Sequence, residues 1–179
     1  MKTDSDVSPN RFFSVIMMGK TASLGLLFLP VAGIWVAWHE RKILREGVPL
    51  SSQGMMDAAE VGVRHPEKIR VLQVRNIPVL NGRFIRALSK FWPEISTHTI
   101  GLCLRYGIYL RKGTASGRER ELIAHECAHT AQYEASGGIV TFLVRYFSEC
   151  IHYGYRSAPM EMEAVEQAGR ISPSVNASK

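Results

Sequence analysis

Cysteine, blocks of like charge and internal repeats are all scarce in this chain. Three of its 179 residues are cysteine: Cys103, Cys127 and Cys150. An odd count at those spacings makes neither a disulfide framework nor a CxxC metal clip. The three thiols read as small buried hydrophobes in a reducing compartment. Lys and Arg outnumber Asp and Glu by 22 to 16, giving a net charge of +6. The positive residues are scattered, with no basic stretch interleaved with aromatics, so no nucleic-acid partner is expected. The absence of repeats and low-complexity tracts excludes solenoids and fibrous classes. What remains is globular: 46% hydrophobic and 21% charged residues, enough for one domain with one core.

The N-terminus is the exception. Residues 1–20 are largely polar at first and read as a flexible segment. From Ala22 to Trp38 the chain runs ASLGLLFLPVAGIWVAW without a charge, and His39, Arg41, Lys42 and Arg45 follow. With its flanks this stretch reaches the roughly 20 residues that span a bilayer. Trp35 and Trp38 stand where an interfacial aromatic belt would place them. No small-residue cleavage site follows, as a signal peptide would require. The expectation is a transmembrane helix or membrane anchor over residues 21–38, so that a membrane is one partner.

The rest alternates between helix and strand signals. Residues 50–64 read as a short helix, 69–74 as a β-branched strand and 83–91 as a short amphipathic helix. Residues 99–110 alternate around Arg105-Tyr106-Gly107, as a hairpin or bulged strand pair would. A long helix is expected over 118–135, stopped by Gly137-Gly138. A very apolar helix follows over 139–152. A third starts at Pro159, a residue suited to the first helical turn, and reaches about Gly169. Residues 171–179 read as a disordered tail.

The long helix contains His125-Glu126-Cys127-Ala128-His129, an HExxH pattern. Residues four apart on a helix lie about 40° apart in projection and about 6 Å apart along the axis. Two imidazoles so placed can converge on one ion with Zn–N bonds of about 2 Å. Glu126 sits about 100° around from His125. That suits a base for a metal-held water, whose pKa zinc lowers to about 7. Ile123, Cys127 and Ala131 form an apolar stripe on the other side, with Ala124, Ala128 and Ala135 keeping that side small. The histidines are therefore expected to face a cleft. Cys127, roughly 200° from His125, is expected in the core.

A catalytic zinc takes three protein ligands and leaves a position open. The HExxHxxGxxH pattern is absent, since Gln132 and Ala135 occupy the relevant places. The candidates downstream are Glu134, Glu149, His152, Glu161, Glu163 and Glu166. The chain here resembles the gluzincin branch of zinc metallopeptidases, in which a later helix carries E-x-x-A followed by Asp or Asn. Glu161-Met162-Glu163-Ala164-Val165 fits with Glu161 as ligand, and Glu163 is the alternative. The stretch from His129 through Gln132-Tyr133-Glu134, a Gly pair and then Tyr-Arg-Ser-Ala-Pro-x-Glu-x-Glu-Ala is also similar to small bacterial HExxHxxQ proteins. The resemblance covers about residues 99–168. Val165 departs from it, standing where relatives of that group place a polar residue that steadies a ligand histidine.

The resemblance implies an α+β zincin-like domain over residues 46–170 with His125, His129 and Glu161 on Zn2+ and Glu126 as the catalytic base. It implies an edge strand within 99–110 that binds an extended peptide or protein substrate. Tyr153 and Tyr155 are candidates for stabilising an oxyanion, though packing accounts for either alone. The expected protein is a membrane-anchored zinc metallopeptidase, single-pass in a bacterial inner membrane with its catalytic domain in the cytoplasm. The alternative expectation is a zinc-stabilised binding or assembly module without turnover.

Overall fold

The computed structural model of the protein describes residues 29–78 and 100–171. The expected helix at 83–91 and both chain ends lie outside them. Helix α1 covers residues 29–46. It is followed by β1 (Val48–Pro49), α2 (Ser52–Glu60), a 3-10 turn at Pro66–Lys68 and β2 (Arg70–Val74). After β3 (Gly101–Leu104) and β4 (Gly107–Arg111) come three helices: α3 (Ser116–Ala135), α4 (Ile139–Tyr153) and α5 (Pro159–Ile171). The architecture is α+β around a small mixed sheet of order β1-β2-β4-β3. β2 and β4 are parallel, with Val71 opposite Ile108, while β3 and β4 form an antiparallel hairpin with Leu102 opposite Tyr109. Among the described strands, β3 therefore lies at an open edge.

Strand alternation divides the core. Ile108 and Leu110 of β4 enter one cluster with Ile69, Val71, Ala58 and the small face of α3: Ala124, Cys127 and Ala128. Tyr109 points the other way, into a cluster with Ala32, Val36 and Ile43 of α1, Leu104 of β3, and Phe142 and Leu143 of α4. The α3 stripe expected to be apolar is thus the surface on which the sheet and α5 rest. Its small side chains let α5 approach through Ala164 and Ala168. The three cysteines are buried and unpaired, as expected of small hydrophobes.

Helix α1 corrects the membrane reading. The transmembrane helix expected over 21–38, and the membrane localisation drawn from it, are overturned: among the described residues no helix is long and apolar enough to cross a membrane. The physical reason is visible in residues 29–46. The second half of α1 carries Glu40, Arg41, Lys42, Arg45 and Glu46. Its apolar face covers the sheet, with Ile43 fully buried and Val36 nearly so. Its polar residues bond to the domain. His39 Nδ1 lies 2.9 Å from the Tyr109 hydroxyl, and the Tyr106 N–H donates to Glu40 Oε1 at 3.3 Å. Gly107 makes room for this helix, because a Cβ there would stand 2.8 Å from Ile43 Cδ1.

The β3–β4 turn is gripped from both sides. Arg105 adopts φ 62°, a region that non-glycine residues rarely occupy. Its guanidinium lies 3.8 Å from Glu40 of α1, and its carbonyl accepts a 2.7 Å hydrogen bond from Thr130 Oγ1 of α3. The turn thereby ties α1, the hairpin and α3 together.

Candidate functional site

Helix α3 presents His125 and His129 one turn apart, with rings edge to face at 88° and centroids 4.8 Å apart. Their Nε2 atoms stand 3.2 Å apart. Glu161, in the first turn of α5, completes the group. Its Oε2 is 3.5 Å from His125 Nε2, and its Oε1 is 3.4 Å from His129 Nε2. One donor atom from each of the three lies within 4.8 Å of the others, a spacing that one metal ion can bridge. The donor set of two imidazoles and one carboxylate fits zinc.

Burial and partners fix the charges here. Burial acts to raise the Glu161 carboxyl, but hydrogen bonds from His125 and His129, joined by Tyr146, hold it well below the usual carboxylate range. Burial acts to lower the His129 imidazole. The adjacent Glu161 carboxylate overcomes this, so the ring is raised above its ordinary value. Both shifts describe the Glu161 carboxylate paired with the imidazole of His129. The Tyr146 hydroxyl donates to Glu161 Oε1 at 2.5 Å, and Tyr155 also hydrogen-bonds Glu161.

Glu126 points between α3 and the edge strand. It is 6% exposed. Burial raises its carboxyl, while the two histidines and a hydrogen bond from the Cys103 N–H pull in the opposite direction; the net shift is upward. Such a shift moves a carboxylate toward the range of a useful proton acceptor. Gly101 is required beside it, because a Cβ at that position would collide with the Glu126 carboxylate. The Arg111 N–H donates to the Ile100 carbonyl at 2.9 Å. In an antiparallel pair the bonding residues alternate, so the main-chain groups of Gly101 and Cys103 face the open edge rather than β4. Edge strand, carboxylate and donor cluster are thus neighbours.

The other sequence candidates fall elsewhere. Glu163 is exposed and bonds Gln132 and Gln167. Glu134 accepts from the N–H groups of Arg64 and His65 and from the Tyr106 hydroxyl. Glu149 accepts from the Met160 N–H, and so caps α5 one residue ahead of Glu161. Glu166 pairs with Arg170 at the surface, and His152 is exposed. Tyr153 is 54% exposed, so of the two tyrosines only Tyr155 reaches the site.

Two residues at the site were missed by spacing arguments. Gln132, three residues after His129, places Oε1 2.9 Å from His129 Nδ1. Residues three apart share a helix face, so its position was available as a signal. Tyr146 had none, because its role depends on how α4 docks. Val165, where a steadying residue was sought, is 63% exposed and turns away.

Compared with known proteins, the chain matches no family model, no curated protein and no solved structure.

Proposed function

We propose that this protein is a zinc-dependent peptidase of the gluzincin type. The observation that carries the reading is the convergence of His125, His129 and Glu161 beside a buried Glu126 that an edge-strand N–H holds in place. His125 and His129 would hold the ion through Nε2, and Glu161 through its carboxylate. A zinc ion there supplies Lewis-acid polarisation of the scissile carbonyl and of the attacking water. Glu126 takes the proton of that water on its carboxylate and returns it to the leaving amine nitrogen. Its raised carboxyl and its distance from bulk solvent suit both transfers. The Cys103 N–H is taken by Glu126, so an extended substrate would pair with β3 through the main chain of Gly101 and the Cys103 carbonyl. Tyr155 hydrogen-bonds Glu161 and would help hold that carboxylate toward the ion.

The test begins with metal content, measured by elemental mass spectrometry on the purified chain and a His129→Ala control. About one zinc ion per chain, lost in the control, is expected. Hydrolysis of an unstructured protein is then compared between the wild type and Glu126→Gln. A fall of about 10²- to 10⁴-fold in kcat/KM with zinc retained is expected for loss of a general base. Zinc held without turnover in the wild type would favour a binding or assembly module. A folded chain that takes no zinc would refute the peptidase.

A further inference from the structure

The hydrogen bonds around Gln132 determine which nitrogen of His129 is left free. Gln132 is 7% exposed, so water does not substitute for its partners. Its Nε2 lies 2.9 Å from the Met160 carbonyl and 2.9 Å from Glu163 Oε2. A carbonyl and a carboxylate only accept, so the amide nitrogen must face them both. Turning the amide by half a rotation would set its oxygen against two other oxygens in a buried site. The amide orientation is therefore fixed, and Oε1 is left facing His129 Nδ1 at 2.9 Å. An amide oxygen cannot donate, so this 2.9 Å contact places the proton on Nδ1, ahead of the Glu161 carboxylate that competes for it from 3.4 Å at Nε2. The lone pair of the neutral ring then sits on Nε2, the atom that faces His125 and Glu161.

We propose that Gln132 is a positioning residue: oriented by Met160 and Glu163, it locks His129 into the tautomer that can ligate a metal. The inference rests on the metal reading above and extends it. It gives Glu163 a role that a ligand search overlooks, because Glu163 holds the amide rather than an ion. Met160, next to Glu161, is the second anchor. One side chain of α3 thereby bonds to both α5 and the proposed ligand His129. It fills the place for which Val165 is unsuited.

The experiment combines two readouts on the full chain. Zinc affinity is measured by competition with a chromophoric chelator for the wild type, Gln132→Leu, Glu163→Leu and His129→Ala, with urea unfolding of each as a control on folding. Ring-nitrogen NMR of the metal-free wild type is recorded at about pH 9, well above the usual imidazole range. The expected results are a proton on His129 Nδ1, a zinc affinity about 10- to 100-fold weaker in Gln132→Leu, and a smaller loss in Glu163→Leu, where the Met160 carbonyl remains. A proton on Nε2 in the wild type would overturn the proposal, as would full zinc affinity in a folded Gln132→Leu. If Gln132→Leu does not fold, Glu163→Leu and the wild-type spectrum still test it. If the wild type takes no more zinc than His129→Ala, the metal reading fails, and the ring-nitrogen spectrum alone settles whether the lock exists.

Discussion

Helices α1 and α3 are both long and both lie against the sheet, yet their sequences convey different amounts. Helix α3 has two distinct faces. Ala124, Cys127 and Ala128 are buried in the core, while His125 and His129 converge with Glu161 on another side. Its chemistry follows from spacing within one turn. Helix α1 is apolar around most of its circumference, and Val31, Ile34 and Trp38 remain exposed. Its place depends on Tyr109, Tyr106 and Gly107, roughly 70 residues later in the chain. Local periodicity reveals a helix whose distinctive residues lie on its own surface. It does not reveal a helix whose partners are remote.

The comparison can be broken by attacking each helix where it meets the sheet. The largest effect is expected in α1. Ile43→Ala removes a fully buried side chain and should cost about 2–5 kcal/mol of unfolding free energy. Urea titration measures this, and zinc binding by the fraction still folded should be unchanged. Loss of zinc in a folded variant would make α1 part of the site. Gly101→Ala attacks the α3 side. A methyl group there displaces the Glu126 carboxylate, and misplacement on this scale costs about 10²-fold in turnover. Zinc content and unfolding midpoint should stay close to wild type. An unchanged kcat/KM would mean that Glu126 acts from some other position.

Smaller effects sharpen the contrast. Tyr146→Phe removes one hydrogen bond to Glu161 and should weaken zinc binding by about 1 kcal/mol, read by chelator competition. On the far side of α3, the Arg120 guanidinium forks onto Asp57 at 2.8 and 2.9 Å. Arg120 holds the Asp57 carboxyl below its ordinary value. A depressed carboxyl adds stability above the unfolded-state value, and the gain disappears as pH falls through the folded-state value. Half of the arginine side chain is exposed, so solvent screening keeps the contribution of the pair small. The urea midpoints of wild type and Arg120→Ala should differ slightly at neutral pH and converge in acid.

The same contrast explains what the chain disclosed before its structure. The α5 helix and the β3–β4 hairpin follow from Pro159 and from alternation around Arg105, and the start of α3 differs from expectation by only two residues. His125, His129 and Glu161 lie together, which a helix pattern and a family resemblance anticipated. The parallel pairing of β2 with β4 was not legible, because it joins segments more than 30 residues apart with no local mark. Two-residue β1 lacks a period altogether. Tyr146 escaped for the reason α1 did: its contact with Glu161 is set by the docking of α4, not by spacing. The hydrophobic run before Trp38 was misread because length and apolarity suit a lipid neighbour and a protein neighbour equally. The charges after His39 were available to argue otherwise.

The grip on the Arg105 turn has a temporal side. Glu40 of α1 holds the turn from one flank, and Thr130 of α3 holds it from the other. Translation delivers Glu40 early, Arg105 much later, and Glu161 after both. Helix α1 therefore leaves the ribosome before every strand it covers, and its apolar face waits for them. A fragment that stops before α5 lacks Glu161, and a fragment that begins after α1 lacks the helix that packs on the β3–β4 turn. The group of His125, His129 and Glu161 thus forms only after α5 has been made.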